Sequence, residues 1–451
     1  MSRVAVLGAG IAGLTAGYGL ATAGVDVTVF ERSGRIGGKL RTTPMPEVDG
    51  LEGVVVEEGA DAFLVRQPEA VEVAGKVGAV VVHPETGVAQ VFCGGRLRTL
   101  PARTMLGVPG SLRGLSDVLT AKGAARAALD RVLPSHSYDG DPTVGDLVRR
   151  RLGSEVLDRM VDPLLGGVYA GTADDLSVAA TLPALLNPGR SLLHTVADRL
   201  PAPVDGPVFG SVAGGMEVLA VAVAEAIRAA GGSIATGRTV TALSRTGTTW
   251  TVATQAGATT STETFDAVVL ALPAASAARL IDPHVPPAVV PTTPYASVAL
   301  VTLVYPAATP VPAGNGFLVA ASERRVVKAV TFVGNKWQHP PGAPVVLRAS
   351  VGRYGDVAEL QRPDVELAGV VAADIASLTG ISARPMHCRV TRWGGALPQY
   401  QPGHVERVGA LRAALPAGLA VCGAAYDGVG IPSCVRSGTA AARSVLGQLG
   451  G

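Results

Sequence analysis

Residues 3–31 read RVAVLGAGIAGLTAGYGLATAGVDVTVFE, and this stretch decides the fold of the chain around it. Arg3 to Leu7 is a short apolar run that reads as a buried strand, Gly13 to Ala23 has helical character, and Asp26 to Glu31 alternates Val and Phe as a second strand. A strand, a crossover helix and a second strand within about 30 residues make a complete βαβ unit. At its first turn stands Gly8-Ala9-Gly10-Ile11-Ala12-Gly13. In that context the first glycine makes the tight turn and the second lets the backbone approach a pyrophosphate. The third packs helix on strand, and the helix N-terminus faces the anion. Glu31 follows Gly10 by 21 residues, near the roughly 20 expected of a carboxylate that holds a ribose. The unit reads as a Rossmann-type dinucleotide fold.

A chain of 451 residues is long enough for two or three lobes, since single cores stop growing at roughly 250–300 residues. Apolar residues make up 48%, charged residues 16% and aromatic residues 4%, so the interior is built from Ala, Val and Leu rather than from rings. Mean hydropathy is +0.35, yet Gly, Pro or a charge interrupts every apolar run before the roughly 18 residues a spanning helix needs. The first strand begins at Arg3 with no secretory leader pattern ahead of it, so a cytoplasmic protein with no spanning segment is expected. Cys93, Cys388, Cys422 and Cys434 are scattered and form no C-x-x-C pair, which argues against a zinc site and a disulfide framework and reads as buried thiols. The seven histidines show no metal-ligand spacing. A formal charge of +2 leaves no basic excess for nucleic acid, and a small-molecule partner is expected.

Further along, residues 112–133 and 143–200 carry helix-compatible patterns and read as a helical lobe. From Ser233 the pattern turns to short strands at 233–236, 239–243, 248–254 and 267–272. The β-branched runs 296–305, 326–333 and 345–351 suit a second sheet, with Pro-rich breaks at 283–294, 306–312 and 340–344 around them. Leu419 to Cys422 reads as one more strand and Pro432 to Leu449 as a closing helix, both belonging with the N-terminal unit. The expected fold is α/β plus α+β: a Rossmann-type domain in discontinuous segments, a mixed-sheet substrate domain and a helical lobe. The expected divisions are 1–80, 206–280 and 391–451 for the dinucleotide domain, 81–205 for part of the substrate domain with the helical lobe, and 281–390 for the substrate-binding sheet.

Arg35-Ile36-Gly37-Gly38-Lys39 directly after the second strand resembles the second dinucleotide signature of the amine-oxidase-like flavoproteins, and Glu57-Glu58-Gly59-Ala60-Asp61-Ala62-Phe63 resembles their segment near the flavin ring. A surface Gly-Gly turn and a plain strand-to-turn passage are the simpler alternatives. Gly423 and Gly428-Val429-Gly430-Ile431-Pro432 ahead of the last helix resemble the other end of that cradle, where a helix N-terminus stabilises negative charge on a reduced flavin. The resemblance implies FAD.

The chain as a whole resembles the bacterial coproporphyrinogen and protoporphyrinogen oxidases of haem synthesis. The stretches that carry this are GRIGGKLRT (34–42), EGADAFLVRQP (58–68), LPARTMLGVP (100–109), DPLLGGVYAGTADDL (162–176), GGMEVL (214–219) and GVGIPS (428–433), with LLGGVYAG (164–171) the most distinctive. Carried over by position, the resemblance implies FAD contacts at Gly8, Ala9, Gly10, Ile11, Ala12, Gly13, Glu31, Arg32, Lys39, Gly59, Ala60, Asp61, Ala62, Val240, Trp393, Gly430, Ile431 and Pro432. Val240 by residue type alone reads as core, and Trp393 equally suits a packed aromatic. Ala60 and Ala62 stand where many relatives have Pro and a polar residue, which puts side-chain contacts there in doubt but not backbone ones. Gln67 stands where relatives from the Firmicutes have Lys, so no substrate role is claimed for it.

The activity implied is FAD-dependent, O2-using, six-electron oxidation of a porphyrinogen with release of hydrogen peroxide. No Ser-His-Asp or Cys-His arrangement is visible, so no catalytic acid or base is named. Arginine suits the propionates of such a substrate because it pairs with carboxylates in bidentate fashion. Arg66 is the first candidate and Arg98 the second, while Leu164, Gly166, Gly167 and Tyr169 are candidates for the wall of an apolar slot. A solvated Arg66 and a helical core at 164–169 are the plainer readings. Residues 96–200 hold 13 Lys or Arg against 11 Asp or Glu, too balanced to separate the four-propionate coproporphyrinogen III from the two-propionate protoporphyrinogen IX. The lack of a leader and the likeness to Gram-positive relatives favour the former. Competing readings are a flavin amine oxidase, a carotenoid desaturase, or a non-catalytic scaffold that shuttles porphyrin to a ferrochelatase.

Overall fold

Three distant stretches of the chain build one parallel sheet of five strands, in the order Ser233–Ala235, Asp26–Phe30, Arg3–Leu7, Ala267–Leu270, Leu419–Val421. The computed structural model describes residues 1–45, 49–51, 54–85, 87–134, 138, 140–200, 206–290, 292–337 and 341–450. The breaks expected at 283–294 and 340–344 include positions 291 and 340, and the expected division at 205/206 abuts 201–205; those positions lie outside the described residues. In register, Val4 faces Ala267 and Arg3 faces Asp26.

Period-2 alternation splits this sheet between two cores. Val4, Val6, Val27, Val29 and Val269 face helices Ile11–Thr22, Met216–Ala229 and Ile431–Leu449. Ala5, Leu7, Phe30, Val268 and Leu270 face Trp250 and Phe265 of a three-stranded antiparallel sheet, 239–246, 249–256 and 259–265, and helix Ala274–Ile281. Both faces are buried, which is why the strands read as continuous apolar runs. The first helix begins at Ile11, two residues before the sequence expectation. It packs against the last so closely that a Cβ on Gly438 would stand 2.2 Å from the Ala12 carbonyl oxygen.

A second, mixed sheet of seven strands runs 387–398, 295–305, 345–351, 327–332, 316–319, 90–93, 96–99. The three β-branched runs of the sequence form its second, third and fourth strands. The strand 316–319, the hairpin 90–99 and the edge strand 387–398 carry weaker signals: they are short, or, in the last case, mix glycine, arginine and histidine. The expected division at 390/391 falls inside strand His387–Pro398, whose pairing with Tyr295–Tyr305 continues to Pro398. Cys388 on this edge is exposed, contrary to the reading of all four thiols as core; Cys93, Cys422 and Cys434 are buried.

Helix Asp364–Thr379 covers one face of the mixed sheet with Leu367, Val371 and Ile375. The helical lobe abuts the other face; its helices include Ala121–Ala128, Val144–Leu152, Asp162–Tyr169 and Leu192–Arg199. Within 112–133 only 121–128 is α-helix, started by the Thr120 side chain, which accepts from the Gly123 N–H at 3.1 Å. Arg151 and Asp130 form a buried ion pair in this lobe, Nε to Oδ1 at 2.6 Å. No helix among the described residues is long and apolar enough to cross a membrane.

Candidate functional site

The two glycine loops at the C-terminal end of the parallel sheet lie on each other. Gly37 donates its N–H to the Ala9 carbonyl at 2.8 Å, and a Cβ on Gly38 would stand 3.1 Å from the Gly10 Cα. Gly8 (φ +106) and Gly13 are dictated by the protein, since added Cβ atoms would meet the Ala271 oxygen at 2.6 Å and the Gly8 oxygen at 1.9 Å. Gly10 is different. Its φ is −71, any residue could adopt it, and a Cβ there would meet nothing within 4 Å. Gly430, which caps the last helix at φ −68, is equally uncrowded: the nearest atom to its Cβ position is at 3.8 Å.

Both uncrowded glycines therefore stand at helix N-termini on the rim of the same sheet, where unpaired N–H groups point outward. A dinucleotide lying across the two ends supplies the crowding that the protein does not, so the residues present fit FAD. Ile11, Ala12 and Gly13 form the first turn of one helix, and Ile431 and Pro432 that of the other. Behind the second, Gly423 donates its N–H to Ser437 Oγ at 2.8 Å, and Ser437 in turn donates to Asp427.

Glu31 directly follows the second strand of the parallel sheet, and its Oε2 accepts the Ala9 N–H at 3.0 Å and Oε1 the Ser33 N–H at 2.9 Å. The carboxylate is thereby held at the first loop. Arg32 beside it is exposed, with no hydrogen bond or ion pair among the described residues. Lys39 closes the second loop, and desolvation lowers its pKa. Gly59 leaves its carbonyl side against Lys39: a Cβ there would be 1.9 Å from the Lys39 oxygen, and Ala60 donates to that oxygen at 3.2 Å. Val240 is half-buried at a bulge in the three-stranded sheet and packs partly against core, as its residue type suggests.

Asp61 is taken up by two cations. Lys336 Nζ lies 2.7 Å and Arg348 Nη2 3.4 Å from its oxygens. Burial alone would raise its pKa, but Arg348 and Lys336 together hold it far below the usual carboxylate range. Its side chain ties residues 57–63 to Lys336 and to the mixed-sheet strand that carries Arg348. Arg348 strengthens this by donating to the Glu57 and Gly59 carbonyls. Trp393, on the opposite edge strand, donates Nε1–H to the Glu58 carbonyl at 2.5 Å and receives the Arg35 guanidinium at 5.8 Å over its ring.

Burial pushes Glu57 up to about 7 despite the Met216 N–H at 2.7 Å and the Thr42 hydroxyl at 2.9 Å, both of which it accepts. Those bonds join three sequence motifs, the loop after Lys39, the flavin-side segment and the GGMEVL helix start, in one network. Glu58, 3% exposed, sits between Arg41 at 2.8 Å and Arg389 at 3.4 Å. Sequence reasoning named neither arginine. Nor did it name Lys328, Arg348 or Arg353, although a cation inside VVKAVTF or VVLRASV breaks an otherwise apolar run and is a signal, and Arg353 follows the latter by one glycine.

The substrate candidates divide. Arg66 is exposed and unpaired among the described residues, beside the strand Phe63–Leu64. Arg98 is not free: it donates to the Cys93 carbonyl at 3.0 Å and the Asp117 carbonyl at 2.9 Å, tying the 90–99 hairpin to the helical lobe. That commitment speaks against Arg98 as a propionate clamp. Leu164 and Tyr169 pack in the helical-lobe core, Tyr169 edge-on to Tyr400 at 5.7 Å. Gly166 and Gly167 turn toward the mixed sheet, where their added Cβ atoms would meet Arg353 Nη1 at 2.8 Å and Leu318 Cδ2 at 3.1 Å. No group of three metal-ligating side chains occurs among the described residues.

The sequence pattern of the family described as flavin containing amine oxidoreductase matches residues 11–446. Coproporphyrinogen III oxidase of Mycobacterium leprae is 36% identical over 96% of this chain and 95% of its own length. The Bacillus subtilis protein of the same name is 29% identical over 99% of this chain and 98% of its own. A crystal structure from Exiguobacterium sp. 255-15, assigned to the protoporphyrinogen oxidases, superposes with a TM-score of 0.87 at 27% identity, covering 100% of this chain and 99% of that one.

Proposed function

Because the chain belongs to the flavin containing amine oxidoreductases, an oxidoreductase family whose FAD cofactor fits the cradle above, we propose that it oxidises coproporphyrinogen III to coproporphyrin III in haem biosynthesis. Loss of six hydrogens aromatises the macrocycle, and O2 is the acceptor, reduced to hydrogen peroxide in each of three turnovers. The observation that carries this reading is near-full-length likeness to coproporphyrinogen III oxidases at 36% identity, together with a glycine-bearing helix, Asp162–Tyr169, laid over the mixed sheet.

Bound FAD supplies hydride acceptance and the passage of electrons to oxygen. The protein's own residues do the rest. Backbone N–H groups at the starts of helices Ile11–Thr22 and Ile431–Leu449 face the anionic parts of the cofactor. Glu31 is placed to hold a ribose, Arg32 and Lys39 to neutralise nearby charge, and the Ala60–Ala62 backbone to lie along the ring. Trp393 and the Asp61 pairs fix that segment in position. Arg66 remains a candidate for a propionate at the mouth. The protein works in the cytoplasm, and a ferrochelatase is the class of enzyme that consumes its product.

Purified yellow protein tests this directly. Under air, porphyrin fluorescence should grow from coproporphyrinogen III several-fold faster than from protoporphyrinogen IX, with hydrogen peroxide accumulating alongside. The reverse preference assigns protoporphyrinogen IX as the substrate. Turnover of a primary amine or a carotenoid precursor without porphyrinogen oxidation overturns the reading, and failure of anaerobic porphyrinogen to bleach the flavin points to a binding scaffold.

A further inference from the structure

Lys328 lies in strand Val327–Phe332 with 3% of its surface exposed, and no described residue gives its ammonium a hydrogen bond or an ion pair. The pairing with Val345–Val351 skips between Val327 and Ala329, so Lys328 is the bulged residue, and a bulge re-aims a side chain. Arg353 stands close enough to repel it, just past the end of the neighbouring strand. Arg353 donates Nη2–H to the Val319 carbonyl at 3.2 Å, and its Nη1 would be 2.8 Å from any Cβ on Gly166. The glycine at 166 therefore makes room for the guanidinium under the helix. A buried ammonium beside a half-buried guanidinium, with one side-chain hydrogen bond to the protein between the two, is a costly arrangement unless an anion completes it.

Resting on the porphyrinogen reading above, we propose that Lys328 and Arg353 form a carboxylate clamp beneath helix Asp162–Tyr169 that takes one propionate of the substrate. Arg353 follows the mixed-sheet strand Val345–Val351, whose Arg348 also grips Glu57 and Gly59, and Lys328 lies on the strand paired with it, so the clamp is built on the same sheet that holds the 57–59 segment. Lysine and arginine together suit a carboxylate: one gives a point charge, the other a planar fork. Burial pushes the Lys328 ammonium down to about 7, with Arg353 adding to the effect. The charged groups around the pair are Asp162 and Asp356, both in the field of Arg353, and, from helix Asp364–Thr379, Asp374, which accepts the Val327 N–H at 2.9 Å. Asp162 already accepts the Ala173 N–H at 2.9 Å, and a single carboxylate carries one charge against the two cations.

The test uses FAD-loaded protein and coproporphyrin III as the probe, with its tetramethyl ester as the carboxylate-free control, from pH 6 to pH 9. Native protein should bind coproporphyrin III steadily below pH 7 and more weakly above it, as the free ammonium loses its proton. Lys328→Met should weaken binding about ten-fold or more, remove that pH dependence, and raise KM more than it lowers kcat. Arg353→Lys, which keeps the charge but loses the fork, should show a smaller loss, and the ester should bind all three proteins alike. Coproporphyrin III binding by Lys328→Met with native affinity and native pH profile overturns the clamp. A native protein that neither binds coproporphyrin III nor oxidises its porphyrinogen overturns the functional reading with it.

Discussion

Two buried cations, Arg151 in the helical lobe and Lys328 in the mixed sheet, are each 3% exposed, yet the protein treats them in opposite ways. Arg151 has its hydrogen-bonding groups answered: Nε by Asp130 Oδ1, Nη1 by the Pro134 carbonyl, and Nη2 by the Asp130 and Arg190 carbonyls. Asp130 is completed in turn by the Ser191 hydroxyl at 2.7 Å and the Leu193 N–H at 2.9 Å. Lys328 has none of this among the described residues. A satisfied buried charge specifies a fold, whereas an unsatisfied one marks where the fold is waiting for something else.

The sharpest way to break this comparison is Arg151→Met. It strands a buried carboxylate and should cost about 3–5 kcal/mol, read as a lower urea midpoint with unchanged slope; a loss under 1 kcal/mol would erase the contrast. Asp61→Asn comes next. It leaves Lys336 and Arg348 facing each other and should cost roughly 2 kcal/mol, with faster flavin release on dilution. Because Asp61 is held low in the folded protein, its contribution is present at neutral pH and is lost as pH falls below the ordinary carboxylate range.

Lys328→Met should move stability the other way, up by about 1 kcal/mol at pH 7. The folded ammonium titrates at about 7 rather than at 10.5, so the unfolded chain holds the extra proton between those values. Native stability should therefore gain about 1.4 kcal/mol per pH unit from this group as pH rises above 7, and urea titrations at pH 7 and pH 9 should show that gain missing in the variant. Gly10→Ala should change stability least, within about 0.5 kcal/mol, because no protein atom lies near its Cβ position. Flavin absorbance after gel filtration should nonetheless fall sharply, while Gly13→Ala, crowded by the Gly8 oxygen at 1.9 Å, should fail as a fold first.

The same contrast explains what could be read from the sequence. The βαβ unit was legible because Gly8, Gly13 and Glu31 meet local demands at fixed spacing, and the three β-branched runs of the mixed sheet were legible by residue type. Strand His387–Pro398 was not, since its aromatic and charged residues serve partners far away: Trp393 reaches Glu58, and Arg389 reaches the same residue. Arg98 looked like a free cation because the carbonyls that bind it, at 93 and 117, have no side-chain signature. Lys328 and Arg353 were passed over for a related reason: their meaning comes from a bulge and from Gly166, some 160 residues earlier in the chain.

One feature of the parallel sheet governs when, as well as where, the cofactor is held. Strand Ala267–Leu270 is flanked by Arg3–Leu7 on one side and Leu419–Val421 on the other, and the second helix start at Gly430 follows the latter. On the ribosome, chains fold as they emerge from the N-terminal end, so the first glycine loop is made long before its counterpart exists. Half a cradle waits through most of translation, and capture of the flavin is deferred until residues 419–449 have emerged. Nascent chains stalled before residue 419 should therefore be colourless however well their first βαβ unit has formed, whereas chains extended past residue 449 should take up flavin.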